Sequence, residues 1–132
     1  MLLLEKAQSN RATVWLALSV LFTARELQDY DYKWMVLLLK ESGMCRDEIF
    51  LILDEEVAPA LSANLLYNPT PVMDGWSEEE IKTLVMKYLA KKPTLAERLV
   101  PARLLAKWRR KYIRGETDRL SIELDIYSQR EL

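Results

Sequence analysis

Histidine is absent from this chain of 132 residues, and cysteine occurs once, at Cys45. These gaps exclude Ser-His-Asp and Cys-His catalysis, every Cys/His zinc pattern, and the side chain best suited to proton transfer near neutral pH. Glycine is nearly as scarce, at positions 43, 75 and 115 only, which leaves no P-loop and no dinucleotide fingerprint. Carboxylates, Lys, Arg, Tyr and Ser remain for chemistry. The chain is therefore expected to be non-enzymatic, with no catalytic residue, no cofactor and no metal.

A lone thiol cannot form an intrachain disulfide, which suits a reducing cytoplasm. No apolar run approaches the roughly 20 residues needed to span a bilayer. The opening "MLLLEK" is short and lacks a basic n-region, so it is not expected to act as a signal peptide. These features predict a cytoplasmic protein that does not engage a membrane. Half of the residues are apolar and 30% are charged, the balance of a folded domain rather than a disordered chain. At this length a single domain is expected.

Helical spacing dominates what is present. In "NRATVWLALSVLFT", Val14, Leu18, Leu21 and Phe22 share one face, Leu16 and Val20 add apolar groups opposite, and Ser9 or Asn10 is available as N-cap. A second helix is predicted over 29–41, stopped by Gly43, and a third over 46–57. Pro59 should kink or end the third, since it lacks an N–H and crowds the Glu55 carbonyl. "SEEE" (Ser77 to Glu80) forms a capping box opening a fourth helix to about Lys91. "TLAE" (Thr94 to Glu97) opens a fifth, which Pro101 kinks or divides and Gly115 ends.

The tail has a different period. Leu120, Ile122, Leu124 and Ile126 alternate with polar residues, as in a half-buried strand. Three arrangements satisfy it: pairing with "MLLLE", pairing with a partner chain, or a helix with Leu120, Leu124 and Tyr127 inward. The fold class expected is all-α, a compact orthogonal bundle of five or six helices with a short C-terminal strand or helix. It divides into an acidic body (11–90), a basic amphipathic helix (91–115) and a tail (116–132). An unpaired tail strand would allow a homodimer by strand addition.

"LILDEEVAPALSANLL" (51–66) places three acids inside an apolar run. Consecutive helical residues diverge by about 100°, so Asp54, Glu55 and Glu56 cannot converge on a metal. Glu56 falls at the edge of the apolar stripe of Ile49, Leu53 and Val57, where a partly buried carboxylate needs a cation. Arg11 is the candidate, with Arg25 the alternative. Asp54 and Glu55 point away, toward the surface.

"LSVLFTAREL" (18–27) followed by "DEIFLILDEEVAPALSANLL" (47–66) resembles a family of small uncharacterised bacterial helical proteins. Their pattern is a Trp before Leu-Ser-x-Leu-Phe, a Glu-Leu, then Ile-Leu-x-x-Glu-Val-x-Pro-x-Leu-x-x-Asn-Leu. Here Trp15, Glu26, Glu56, Pro59 and Asn64 occupy those positions, and the similarity spans about residues 11–85. The chain departs from the family at "MDGW" and "TAR", where a Gly-Glu-Trp and an Asp are usual. With Arg11, the matched Trp15, Glu56, Pro59 and Asn64 are read as structural. The family carries no settled activity; the resemblance implies a small helical accessory protein of the kind found as immunity partners to secreted bacterial toxins.

Charge is segregated. Residues 1–90 carry a net −6, residues 91–115 a net +8, and residues 116–132 a net −3. Arg103, Lys107, Arg110 and Arg114 recur on one helical face, with Leu104, Leu105, Trp108 and Tyr112 on an apolar face beside it. Such a helix binds nucleic acid, an anionic membrane surface or an acidic protein, or packs by its apolar face while its charges complement the acidic body. With a pI near 5.6 and no interleaved aromatic-and-glycine pattern, a single-strand stacking module is not expected. On the acidic side, Asp54, Glu55, Asp74, Trp76, Glu78 and Glu79 form a candidate surface for a basic protein, with Trp76 as anchor. The expectation is an immunity-type protein that occludes a cognate toxin. The alternative is a nucleic-acid-binding accessory protein using residues 103–114.

Overall fold

The computed structural model describes residues 2–23, 25–62, 75–91 and 95–130. The first helix, α1 (Leu2–Ser19), begins well before the expected cap, because "LLLEKAQ" is made of strong helix formers. Ser9 is thus interior, its carbonyl accepting a hydrogen bond from the Thr13 hydroxyl at 3.0 Å. A 3-10 turn (Val20–Phe22) closes α1. Val14, Leu18, Leu21 and Phe22 are all buried, and Ala12, Trp15 and Ala17 bury further sides of the same helix. α1 is the hub of the core.

α2 (Asp29–Glu41) has the predicted bounds. Buried Asp31 accepts from the Gln28 backbone N–H at 2.8 Å and from both terminal nitrogens of Arg25 at 2.8 Å. The guanidinium is the main reason its carboxyl sits below the usual range. Gly43, at φ +72°, turns the chain out of α2 in the left-handed region that glycine adopts without cost.

α3 (Arg46–Ile52) runs into a π-helical turn (Leu53–Val57) and then α4 (Ala58–Leu61). Pro59 does not end the run but sits in the first turn of α4. The wider turn shifts the register so that the Ala58 N–H donates to the Leu53 carbonyl, five residues back. In that register the Asp54 carbonyl is the one facing residue 59, and proline has no N–H to give it.

α5 (Glu78–Ala90) opens on the predicted box: Ser77 accepts from the Glu80 N–H at 3.1 Å and Glu80 from the Ser77 N–H at 3.2 Å. α6 (Leu95–Leu99) and α7 (Ala102–Arg109) are separated at Pro101, whose carbonyl accepts the first bonds of α7. The next break is at Arg110, followed by a 3-10 turn (Lys111–Ile113) and α8 (Arg114–Arg130). Gly115, expected to end the basic helix, instead sits in the first turn of α8. The π-turn, Pro101 and Arg110 subdivide the described residues into more helical segments than the five or six expected.

The tail is helical, and no strand occurs among the described residues. Leu120 is 0% exposed and Leu124 and Tyr127 pack against the core, while Ile122 is 58% exposed. The alternation was misleading because residues 120 and 124 also recur at helical spacing. Strand addition is therefore overturned as a route to a dimer. α1 packs against α2, α5 and the π-turn, α8 packs on α2, and α7 docks on the π-turn.

Candidate functional site

The π-turn sends its three acids in three directions. Glu56 is 5% exposed and points inward, where Trp15 Nε1 donates to Oε1 at 2.8 Å and Arg11 Nε donates to the same oxygen at 2.9 Å. Arg11 Nη2 reaches Oε2, so the guanidinium grips both oxygens. The hydrogen bond to Glu56 raises the Arg11 pKa, since it favours the charged form. Arg25, the alternative partner, is held by Asp31. Glu55 is exposed.

Asp54 differs from its expected place on the open surface. Its carboxylate is clasped by Arg110, Nε to Oδ1 at 2.6 Å and Nη2 to Oδ2 at 2.7 Å. Its carbonyl, the acceptor stranded by Pro59, takes a hydrogen bond from Arg109 Nη1 at 2.9 Å. Arg109 Nη2 also lies 3.1 Å from Glu97 Oε2 and 3.2 Å from the Tyr88 hydroxyl, which itself donates to Glu97. Burial, and then that carboxylate, push the Tyr88 pKa up. The Arg110 guanidinium stacks 5.1 Å from the centre of the Phe50 ring. Two adjacent arginines thus fasten the end of α7 to one turn of the acidic body.

That corner gathers the predicted basic set. Arg103, Lys107, Arg110 and Arg114 line a single groove of about 380 Å³ between α7 and the start of α8, together with Asp54 and Asp118. Among the described residues, Arg103, Lys107 and Arg114 are exposed and have no ion pair. The apolar face expected to anchor this helix is not buried as a unit. Leu105 is half-buried, but Leu104 is 48% exposed and Trp108 61%. Arg109 and Arg110 tie this helix to the π-turn.

The predicted acidic surface is not assembled in this way. Glu78 and Glu79 are exposed at the first turn of α5, 3.8 and 4.0 Å from Lys82. Glu55 shares a crevice with Tyr88, ten residues further along the same helix and so about 15 Å away. Trp76 is half-buried against the core. Asp74, and Asn64 among the structural residues, lie outside the described residues. No grouping of acids, Cys or His able to hold a metal occurs among the described residues, and none of their helices is long and apolar enough to cross a membrane.

A family model, described as a domain of unknown function (DUF7079), matches residues 9–123. The chain belongs to the DUF7079 family. The matched span takes in the Glu56 brace, the π-turn and the whole basic groove, so both features lie within the family domain. No curated protein and no solved structure matches the chain.

Sequence reasoning missed Arg109 and the exposure of Trp108. The signal for Arg109 is a proline whose would-be acceptor carbonyl has no backbone donor, but it is readable only once the π register is known. For Trp108, amphipathic spacing says which residues share a face and not whether that face is covered.

Proposed function

We propose that this chain is a non-enzymatic binding module that holds nucleic acid in the groove at the α7–α8 corner. The observation that carries the reading is four cations on one groove, three of them without an ion pair among the described residues. Arg110 is oriented there by Asp54 and Phe50, so one cation is already positioned before anything binds. Phosphate backbones are recognised by such clusters, with release of counterions. The lack of histidine and of spare thiols supports a role without turnover.

The test is a salt titration of binding to labelled oligonucleotides, with Arg103→Glu, Lys107→Glu and Arg114→Glu combined. Arg110 is left intact because it braces the fold. The triple variant should lose binding and keep its melting temperature, and the wild-type affinity should fall steeply with salt. Binding that ignores the three reversals would remove the groove from the account.

A second reading is an immunity-type protein, working in the cytoplasm, that occludes a basic toxin. What supports it is the exposed Glu55, Glu78 and Glu79, with Trp76 half-buried just ahead of α5, and the family resemblance. Its test is co-purification with a toxin-like neighbour, weakened by Glu78→Lys with Glu79→Lys. An unchanged complex after both reversals would count against that surface.

A further inference from the structure

We infer that this chain pairs with a second copy of itself, face to face, through the outer side of α2 and α8. The inference is independent of the basic groove at the α7–α8 corner. α2 and α8 lie side by side and run in the same direction. At the start of α2, Asp29 accepts from Arg119; at its end, Lys40 donates to the Tyr127 hydroxyl at 3.5 Å, further along α8. Between the two helices a groove of about 460 Å³ has Val36, Leu37, Ile126 and Tyr127 as apolar walls, with Lys33 on the α2 side and Glu123 on the α8 side. Leu37 is 52% exposed and Ile126 40%. Tyr30, two turns before Leu37, and Ile122, one turn before Ile126, are more exposed still. Helical spacing sets Tyr30 within about 20° of Leu37 and Ile122 within about 40° of Ile126, so the four share one outer surface. Single exposed apolar side chains are ordinary, but four together on two adjacent helices form a patch of the kind that marks an interface.

The charges decide the occupant. Lys33 is exposed and has no hydrogen bond or ion pair among the described residues. Glu123 meets only Arg119, one turn earlier at 3.6 Å, and Arg119 is already answered by Asp29. The groove thus offers a cation and a carboxylate on opposite sides, each with room for a counter-ion. Because α2 and α8 are parallel, a twofold axis running along them lays α2 of each copy over α8 of the other in the same direction. Lys33 of one copy then reaches Glu123 of the other, and Leu37 meets Ile126, each contact occurring twice. A twofold axis across the helices instead lays α2 on α2 and parts the two charges. A second copy already carries the complement that this face requires, in the register in which it requires it.

The experiment is sedimentation velocity on the full chain over a concentration series, for wild type, Leu37→Glu, Lys33→Glu and Glu123→Lys. Wild type should pass from 15.5 kDa to twice that mass as concentration rises. Leu37→Glu should stay monomeric, with the melting curve of dilute wild type. Lys33→Glu and Glu123→Lys, each alone, should weaken self-association about tenfold, because each sets like charges opposite one another at both contacts. An equimolar mixture of those two variants should recover the dimer, since both contacts of the mixed pair are again opposite in sign. The two charge variants change surface side chains only and carry the test even if Leu37→Glu fails to fold. A wild type monomeric throughout the series would overturn the inference and leave the face to a different protein. Self-association undiminished in folded Leu37→Glu, or a mixture that associates no more tightly than either charge variant alone, would overturn it too.

Discussion

Two neighbouring carboxylates on one π-turn, Glu56 and Asp54, both bind arginine, yet they do different work. Glu56 faces inward and replaces its lost water with donors from Arg11 and the Trp15 indole, which locks α1 against the turn. Asp54 faces outward and takes Arg110 on its side chain and Arg109 on its carbonyl, which fastens the basic corner to the body. The inner site is closed by burial, so breaking it strands polar groups. At the outer one the carboxylate is more open, 18% exposed against 6% for Glu56, while Arg109 and Arg110 are more covered than Arg11.

The largest effect should come from the inner site. Glu56→Ala leaves the Trp15 N–H buried without an acceptor and Arg11 without its counter-ion. The expected loss is about 3 kcal/mol in a urea melt, the low end for a broken buried pair because the Arg11 side chain is 46% exposed and can turn to water. A loss below that of Glu55→Ala would reverse the contrast between the two sides.

Next comes Arg109→Ala, at about 2 kcal/mol, since it removes three hydrogen bonds and leaves the Asp54 carbonyl unserved. Pro59→Ala sharpens this, because it restores an N–H opposite that carbonyl. In a double-mutant cycle Pro59→Ala should be less harmful, or even helpful, when Arg109 is already absent. Strict additivity would show that proline and arginine do not share the acceptor.

Arg25→Ala, at about 1 kcal/mol near neutral pH, extends the comparison to a third arginine-held carboxylate. The folded Asp31 carboxyl lies below its ordinary value of about 3.9. The stability it contributes is therefore complete above that value and is lost as pH falls through the lowered one. The gap between wild type and variant should be full near pH 6 and narrow below pH 4. A gap that widens in acid would contradict the assignment. The smallest effect is Glu55→Ala, within about 0.5 kcal/mol by the same melt, as for an exposed side chain with no hydrogen bond or ion pair among the described residues.

Much of the fold was legible because its punctuation is local. The Ser77–Glu80 box, the Gly43 turn and the break at Pro101 depend on backbone groups within four residues. The start of α1 was misplaced because Ser9 and Asn10 favour a cap without forbidding a helix interior. The tail was left open for a related reason: Leu120 and Leu124 fit a strand and a helix alike, and only the depth of Leu120 beside the exposure of Ile122 separates the two. Glu56 was readable in role and in partner, since a carboxylate on an apolar stripe demands a cation. Asp54 was not, because its neighbours in space come from residues 55 positions away.

The sequence by itself determined the bounds of α2, the box that opens α5 and the break at Pro101, that one acid of three must be braced, and that positive charge concentrates in residues 91–115. These follow from propensity, capping and composition, which act along the chain. Only the tertiary structure decided which arginines are consumed by the fold and which remain on a groove, and that Trp108 faces water. Those outcomes depend on how α7 is rotated against the π-turn, and that rotation is set by contacts between residues far apart in the chain.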